Sequence, residues 1–288
     1  MQRILVAVIA IPIVIFVVMF RPIGFLGLTI IFAVLAVHEY YGLAKAKGFI
    51  AQGTIGMILT ALIVLSFAAL RLHLNFAQSD ILALILIAGV IAIMTAELMK
   101  GYPNPFVQVS VTGMGALYVG IGMGGLYGVH EYFYLHAAIS PLASDPTIIS
   151  VQAGYFTIAL LASIWICDSA AFTVGRKMGK HKIAPAVSPN KSWEGGIAGL
   201  VTAIIVWLLA RTYIGALEEV SIPTAIAMGV IAGGLGQVGD FAESMLKRDA
   251  GVKDSSTLIP GHGGVLDRLD SILFVGPLAY LYLRLFGL

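Results

Sequence analysis

Residues 240–270 combine acidic and basic side chains at high density in an otherwise apolar chain. They hold ten of the chain's 32 charged residues, which are 17 Lys and Arg and 15 Asp and Glu. The candidate metal ligands are Asp240, Glu243, Asp254, Asp267 and Asp270, and the cations are Lys247, Arg248, Lys253 and Arg268. Carboxylates suit Mg²⁺, which proteins bind through one or two acidic side chains and substrate phosphates. Lys and Arg bind the phosphates themselves. The mixture predicts metal-assisted phosphate chemistry.

A glycine-rich run at 260–264, PGHGG, lies inside this segment. Glycines permit a tight turn and a close approach of backbone to a ligand. For His262, at its centre, we expect a hydrogen bond to phosphate or a structural role, because neighbouring carboxylates favour Mg²⁺ over Zn²⁺. The alternative for the whole segment is a solvated loop whose opposite charges pair on the surface, where such pairs contribute little.

Two other stretches carry polar side chains that fit such a site. Asp168 lies near the end of an apolar run, where an ionised carboxylate costs about 2.5–3.5 kcal/mol to insert and usually faces a partner, cavity or ion. Its alternative role is an ion pair with Arg176 or Lys177. Residues 188–196, SPNKSWEGG, precede another apolar run. We expect a turn at 188–190, a helix capped by Ser192, and an anion site formed by the helix N-terminus with Lys191.

The composition is that of an integral membrane protein. Hydrophobic residues make up 59% of the chain and charged residues 11%, against roughly 45–50% and about 25% in soluble proteins. About nine apolar runs are candidate spans, at 4–20, 23–37, 54–70, 81–97, 106–129, 154–174, 196–213, 222–239 and 271–286. The second run is short and the fifth is long, so eight and ten spans are the alternatives. Spanning backbone must satisfy its own hydrogen bonds, so we predict an all-α, polytopic transmembrane helical bundle. One membrane domain, 1–288, is expected, with catalytic elements concentrated in 165–196 and 240–270.

The distribution of basic residues predicts the orientation of the bundle. With nine spans, most Lys and Arg fall on the side of the N-terminus, while the loop at 130–153 has none. Because basic residues favour the cytoplasmic side, the N-terminus and the 240–270 segment are predicted to be cytoplasmic. A net charge of +2 gives no reason to expect nucleic-acid binding.

The 240–270 segment resembles a known family signature. It reads Ser244-x-Leu246-Lys247-Arg248, then Lys253-Asp254-x-Ser256, then Ile259-Pro260-x-His262-Gly263-Gly264-Val265-x-Asp267-Arg268-Leu269-Asp270. This spacing is similar to that of phosphatidate cytidylyltransferases, also called CDP-diacylglycerol synthases. Residues 168–172 and 188–196 resemble the same family, whereas the first 100 residues carry no motif.

The resemblance implies a reaction and a set of site residues. CTP and phosphatidate would give CDP-diacylglycerol and pyrophosphate, with Mg²⁺ and a possible second cation. The expected metal ligands are Asp240, Asp267 and Asp168. The expected catalytic residues are Asp240, Lys253, Asp254, His262, Asp267, Arg268 and Asp270. The expected residues for the phosphates of CTP and phosphatidate are Ser188, Asn190, Lys191, Ser192, Lys247, Arg248, Lys253 and Arg268. A homodimer in the inner membrane, with its site facing the cytoplasm, is also implied.

Two rival functions stay open at this point. An ion-coupled or proton-coupled transporter would also have buried carboxylates and glycine-rich helices, but the acidic residues cluster at one face of the bundle rather than at mid-membrane. A related CTP-dependent enzyme acting on another lipid, such as an isoprenoid ether lipid or dolichol, would share the signature, because the signature does not read acyl chains.

Overall fold

The chain forms a helical bundle in the computed structural model. The structure describes residues 12–69, 72, 77–101, 103–139, 146–259, 261 and 263–288. Residues 12–20 are helical. The next five helices are α1 (Pro22–Ala46), α2 (Gly53–Ser66), α3 (Gln78–Lys100), α4 (Pro105–Ile139) and α5 (Pro146–Met178). Proline opens α1, where its fixed φ suits the first turn and its missing N–H costs nothing. Gly101 ends α3 at a φ of 60°, which glycine adopts without strain.

The second half begins with a small hairpin and continues as helices. Strands β1 (Lys182–Ala184) and β2 (Ser188–Ser192) pair antiparallel. The elements that follow are α6 (Trp193–Tyr213), a 3₁₀ turn (Gly215–Leu217), α7 (Ile222–Val230), a π turn (Ile231–Leu235), α8 (Gly236–Asp249), α9 (Leu266–Leu269) and α10 (Ile272–Phe286). The predicted all-α bundle is confirmed, with this hairpin as its one sheet within the described residues.

Seven helical stretches in the described part of the chain are long and apolar enough to cross a membrane. They correspond to seven of the nine predicted spans. The run predicted at 54–70 forms α2, a 14-residue helix about 21 Å long, which is shorter than the ~30 Å hydrocarbon layer. The run at 4–20 begins outside the described residues. The protein is a multi-pass membrane protein, and the count of nine stays a prediction.

Glycines bring neighbouring helices into close contact. A Cβ on Gly122 would lie 2.6 Å from a side-chain carbon of Leu273, and one on Gly125 would collide with the backbone of Pro277. These contacts join α4 to α10. A Cβ on Gly233 in the π turn would lie 2.8 Å from Leu200 Cα of α6. In a membrane, lipid tails supply no hydrophobic driving force for helices to associate, so association depends on close packing. Small residues at the contacts let the helix backbones come close enough for that packing.

The hairpin corrects one local prediction and confirms another. The turn predicted at 188–190 is wrong, because these residues form β2, in which Ala184 pairs with Ser188 and Lys182 with Ser192. Pairing with β1 outweighs the turn preference of Pro189 and Asn190. The predicted cap is confirmed: Ser192 Oγ accepts a hydrogen bond from the N–H of Gly195 at 3.3 Å.

Candidate active site

A cavity of about 1070 Å³ lies between the helices and the hairpin. Its charged lining includes Asp168, Lys191, Asp240, Asp267, Arg268 and Asp270, which come from α5, β2, α8, α9 and the residue after α9. Its apolar lining includes Phe25, Leu28, Phe32, Leu126, Leu161 and Ile164, from α1, α4 and α5. The structure thus brings the 240–270 segment, Asp168 and the 188–196 segment to one place.

The character of the lining changes along α5. Leu161 and Ile164 line the cavity first, and Asp168 and Arg176 line it further along the helix. At 1.5 Å per residue, the helix rises about 22 Å from Leu161 to Arg176. The cavity therefore has an apolar end and a charged end separated along the bundle, which suits a ligand with both an apolar and an anionic part.

Four donor groups lie within hydrogen-bond distance of the Asp267 carboxylate. Its Oδ1 accepts from Lys247 Nζ at 2.6 Å. Its Oδ2 accepts from the Ser255 N–H at 2.9 Å and from the Gly264 N–H at 2.7 Å, and it lies 3.0 Å from Ser255 Oγ, whose single proton it shares with Glu39. The residue is only 8% exposed. Both carboxylate oxygens are therefore engaged by the protein. Ser255 and Gly264, which contact Oδ2, belong to the segment 255–266, the signature loop.

Lys247 lies between two carboxylates. Its Nζ is 2.5 Å from Glu243 Oε2 and 2.6 Å from Asp267 Oδ1. Glu243 is one turn earlier on α8 and fully buried. Two formal negative charges surround one positive charge, so Lys247 neutralises buried acids as well as lining the cavity. Its predicted contact with a substrate phosphate stays a prediction.

A second ion pair joins β2 to α8. Lys191 Nζ is 2.5 Å from Asp240 Oδ2 and lies 4.1 Å from the centre of the Phe241 ring. Asp240 Oδ1 also accepts from Ser244 Oγ at 3.3 Å. Both charged side chains are partly exposed, at 27% and 29%. An incoming phosphate or cation can therefore compete for either partner.

Asp168 and Asp270 complete the acidic lining. In the described part of the chain, Asp168 forms no ion pair with Arg176 or Lys177, so that alternative is not seen. Asp168, Asp240 and Asp270 line the same cavity, so three carboxylates gather at its charged end. Asp270 Oδ1 accepts from the Ser271 N–H at 2.6 Å. Like charges gathered at one cavity favour the arrival of a cation.

The acidic lining fits a magnesium ion chemically. No group of three or more His, Cys, Asp or Glu among the described residues is already arranged around a metal position. Mg²⁺ needs no such group, since it commonly takes one or two carboxylates and completes its shell with water and phosphate oxygens. Asp240 with Asp168 or Asp270 offers such a pair. Asp267 is less available, because its side chain is only 4% exposed, against 29% for that of Asp240, and it accepts from backbone N–H groups as well as from Lys247.

Three predicted phosphate-binding residues do not line the cavity: Ser188, Arg248 and Lys253. Arg248 is exposed and donates to the carbonyls of Val187 at 3.3 Å and Val252 at 3.0 Å, which ties α8 to the hairpin loop. Lys253 is exposed and has no side-chain partner among the described residues. Asn190, Ser192 and Asp254 do line the cavity. His262 lies outside the described residues.

Several residues of the site are absent from the sequence-based prediction. Arg176 and Lys182 line the charged end, and Gln237 donates to the Gly196 carbonyl at 3.0 Å, joining α8 to α6. Glu39 of α1 is buried against the signature loop, at 4% exposure. Glu39, like Asp168, is an acidic residue in an apolar segment, where an ionised carboxylate is costly and usually has a partner. The sequence argument made for Asp168 therefore identifies Glu39 as well.

The described structure is that of a polytopic membrane protein with an amphipathic cavity at the signature loop. The profile of the Cytidylyltransferase family matches residues 1–286. The chain therefore belongs to this family, and the resemblance seen in its motifs is confirmed.

Individual relatives agree with this assignment. The chain is 36% identical over 275 residues to phosphatidate cytidylyltransferase 5, chloroplastic, of Arabidopsis thaliana, covering 88% of this chain and 64% of the relative. It is 46% identical over 125 residues to the phosphatidate cytidylyltransferase of Haemophilus influenzae, and this match covers 41% of this chain and 42% of the relative. It is 43% identical over 124 residues to the phosphatidate cytidylyltransferase of Staphylococcus saprophyticus, and this match covers 43% of this chain and 46% of the relative. The matches thus span less than two thirds of each relative's length.

Proposed function

We propose that the protein transfers CMP from CTP to phosphatidate, giving CDP-diacylglycerol and pyrophosphate. The observation that carries this proposal is the amphipathic cavity of about 1070 Å³ built around the family signature. Such a cavity has room for the nucleotide at its charged end and for part of an acyl chain at its apolar end. The names of the relatives support the same reaction.

The proposed chemistry needs neutralisation of charge more than proton transfer. An anionic oxygen of phosphatidate attacks the α-phosphorus of CTP, a new P–O bond forms, and the bond to the β-phosphate oxygen breaks to release pyrophosphate. The attacking oxygen carries no proton that must be removed, so no strong general base is required. The main barrier is repulsion between the two anions, which positioned cations lower.

The residues of the charged end divide this task. Lys191, Arg268 and Arg176 face the cavity and are placed to hold phosphate oxygens. Asp240, with Asp168 or Asp270, would hold Mg²⁺, which when bound neutralises phosphate charge and stabilises the leaving pyrophosphate. Asp267 was predicted as a metal ligand, and its burial and its bonds from the Ser255 and Gly264 N–H groups favour a role in organising the loop and Lys247. The identity of a second cation is left open.

The membrane setting follows from the same argument. We propose that the charged end faces the cytoplasm, where CTP is found, and that phosphatidate reaches the apolar end from the bilayer. The bias of basic residues toward that side supports this orientation. The bacterial relatives support an inner-membrane location, and the resemblance to this family supports a homodimer.

The test compares two aspartates of α8. Purified protein is expected to release pyrophosphate from CTP only when phosphatidate and Mg²⁺ are both present. Asp240→Asn should lower this rate by at least about a hundredfold, because it removes a charge from the proposed metal and phosphate site. Asp249→Asn is the control, since Asp249 is exposed and pairs with Lys47 outside the cavity. Equal rates in the two variants would refute the assigned site.

A further inference from the structure

Glu39 is buried in α1 and accepts four hydrogen bonds from the signature loop. Its Oε1 accepts from Ser256 Oγ at 2.6 Å and from the Val265 N–H at 3.0 Å. Its Oε2 accepts from Ser255 Oγ at 2.9 Å and from the Leu266 N–H at 2.8 Å. The carboxylate is only 4% exposed. Four donors, all from one loop, therefore compensate the burial of this charge.

These bonds hold both ends of the loop that leads to Asp267. Ser255 lies before the glycine-rich run, and Val265 and Leu266 lie directly after it. The Oγ of Ser255 is within hydrogen-bond distance of both Glu39 Oε2, at 2.9 Å, and Asp267 Oδ2, at 3.0 Å. The two carboxylates share the single proton of this hydroxyl, so a displacement of Glu39 changes the contact of Ser255 with Asp267.

The packing around this link leaves no spare volume. A Cβ added to Gly264 would collide with both Ser255 Oγ and Glu39 Oε2. Gly264 also donates its backbone N–H to Asp267 Oδ2 at 2.7 Å. The backbone at Gly264 therefore lies between the two carboxylates and is in close contact with both of them.

We propose that Glu39 is a positioning residue that fixes residues 255–256 and 265–266 of the signature loop and thereby orients Asp267 and Arg268 at the charged end of the cavity. Glu39 does not line the cavity itself, so it acts through the loop and not on substrate. Its importance for catalysis rests on the proposed function, whereas its hold on the loop can be measured without any activity.

The substitution Glu39→Gln tests the contact with little change in shape. Each carboxylate oxygen accepts from one serine hydroxyl and one backbone N–H. A glutamine amide nitrogen donates and cannot accept. A serine hydroxyl can rotate and accept instead, but a backbone N–H cannot. Whichever way the amide turns, the N–H of Val265 or Leu266 loses its acceptor.

Glu97→Gln is the matched control. Glu97 is 5% exposed in α3 and accepts from Gln52 Nε2 at 2.6 Å. It does not line the cavity and makes no described contact with the signature loop. The substitution removes the same buried charge from another apolar helix, so effects common to both variants reflect general stability.

The experiment measures hydrogen exchange and kinetics on the same purified proteins. In Glu39→Gln, exchange in peptides covering 253–266 should rise roughly tenfold or more, as expected when a buried donor loses its partner. The kcat for pyrophosphate release should fall by a similar factor, and the half-saturating Mg²⁺ concentration should rise. Glu97→Gln should keep wild-type loop exchange and Mg²⁺ dependence. Ser256→Ala, which removes one donor to Oε1, should change both in the same direction by less, and serves if Glu39→Gln does not fold.

The outcomes separate the two proposals. Unchanged loop exchange in Glu39→Gln, or an equal change in Glu97→Gln, would overturn the positioning role. A wild-type protein that is inactive with CTP and phosphatidate, but whose loop exchange still responds to Glu39→Gln, would refute the proposed reaction while leaving the positioning role supported.

Discussion

Lys247 makes a quantitative prediction possible, because its ammonium group lies between two buried acids. Lys247→Met keeps much of the length and packing of the side chain but removes its charge. Glu243, fully buried, and Asp267, 8% exposed, then lose their shared partner, whose nitrogen lies 2.5 and 2.6 Å from their oxygens. Breaking a buried ion pair in this way costs about 3–5 kcal/mol, because an uncompensated charge remains. We expect a loss of that size in the free energy of unfolding.

The assay is equilibrium unfolding in mixed micelles, with Lys47→Met as the control. Lys47 Nζ lies 3.1 Å from Asp249 Oδ1, but the two side chains are 39% and 66% exposed, respectively. Exposed pairs contribute about 0–1 kcal/mol, so the same substitution there should have little effect. Adding Glu243→Gln to Lys247→Met removes one of the two orphaned charges and should recover about 1–3 kcal/mol. Equal losses in the two single variants, or no recovery in the double variant, would refute the buried-triad account.

Three further predictions concern the two ends of the cavity and the helix packing. Lys191→Met should raise the KM for CTP roughly 10- to 100-fold, the worth of a charged hydrogen bond, in steady-state assays at saturating phosphatidate; an unchanged KM would remove Lys191 from the nucleotide site. Leu161→Trp should fill part of the apolar end and raise the KM for long-chain phosphatidate more than that for a short-chain analogue; equal effects on both would argue against an acyl site there. Gly125→Ala should destabilise the protein by at least about 1–3 kcal/mol by overpacking, because its Cβ would collide with Pro277. Nothing lies within 4 Å of a Cβ added to Gly113, so Gly113→Ala should be close to neutral. Thermal unfolding of the two variants compares their stabilities, and similar losses in both would count against the packing argument.

The charged residues allowed part of the site to be predicted from the sequence, because a charged side chain is costly in an apolar membrane segment. That cost pointed to Asp168 and to the 240–270 segment, and the structure places Asp168, Asp240 and Asp267 around one cavity. The helices were equally predictable, since a spanning segment has few alternatives to a helix. These inferences needed only local composition and general membrane physics.

Other features depend on partners distant in sequence. Glu39 meets Val265 across 226 positions, and no local pattern announces that contact. Arg248 has the chemistry of a phosphate ligand, yet it donates to the carbonyl of Val187 in the hairpin loop, 61 positions away, as well as to that of Val252. Residues 188–190 have turn-forming side chains, but pairing with Lys182–Ala184 makes them a strand. In each case tertiary contact outweighs local preference.

The most direct test of the central claim is the mass of the product formed in a mixed-lipid assay. The wild-type protein, reconstituted with CTP, Mg²⁺, phosphatidate, dolichol and an isoprenoid ether lipid phosphate, is expected to form CDP-diacylglycerol together with an equal amount of pyrophosphate. A cytidylylated or phosphorylated product of another lipid, or the absence of any nucleotide-dependent product, would contradict the proposed reaction.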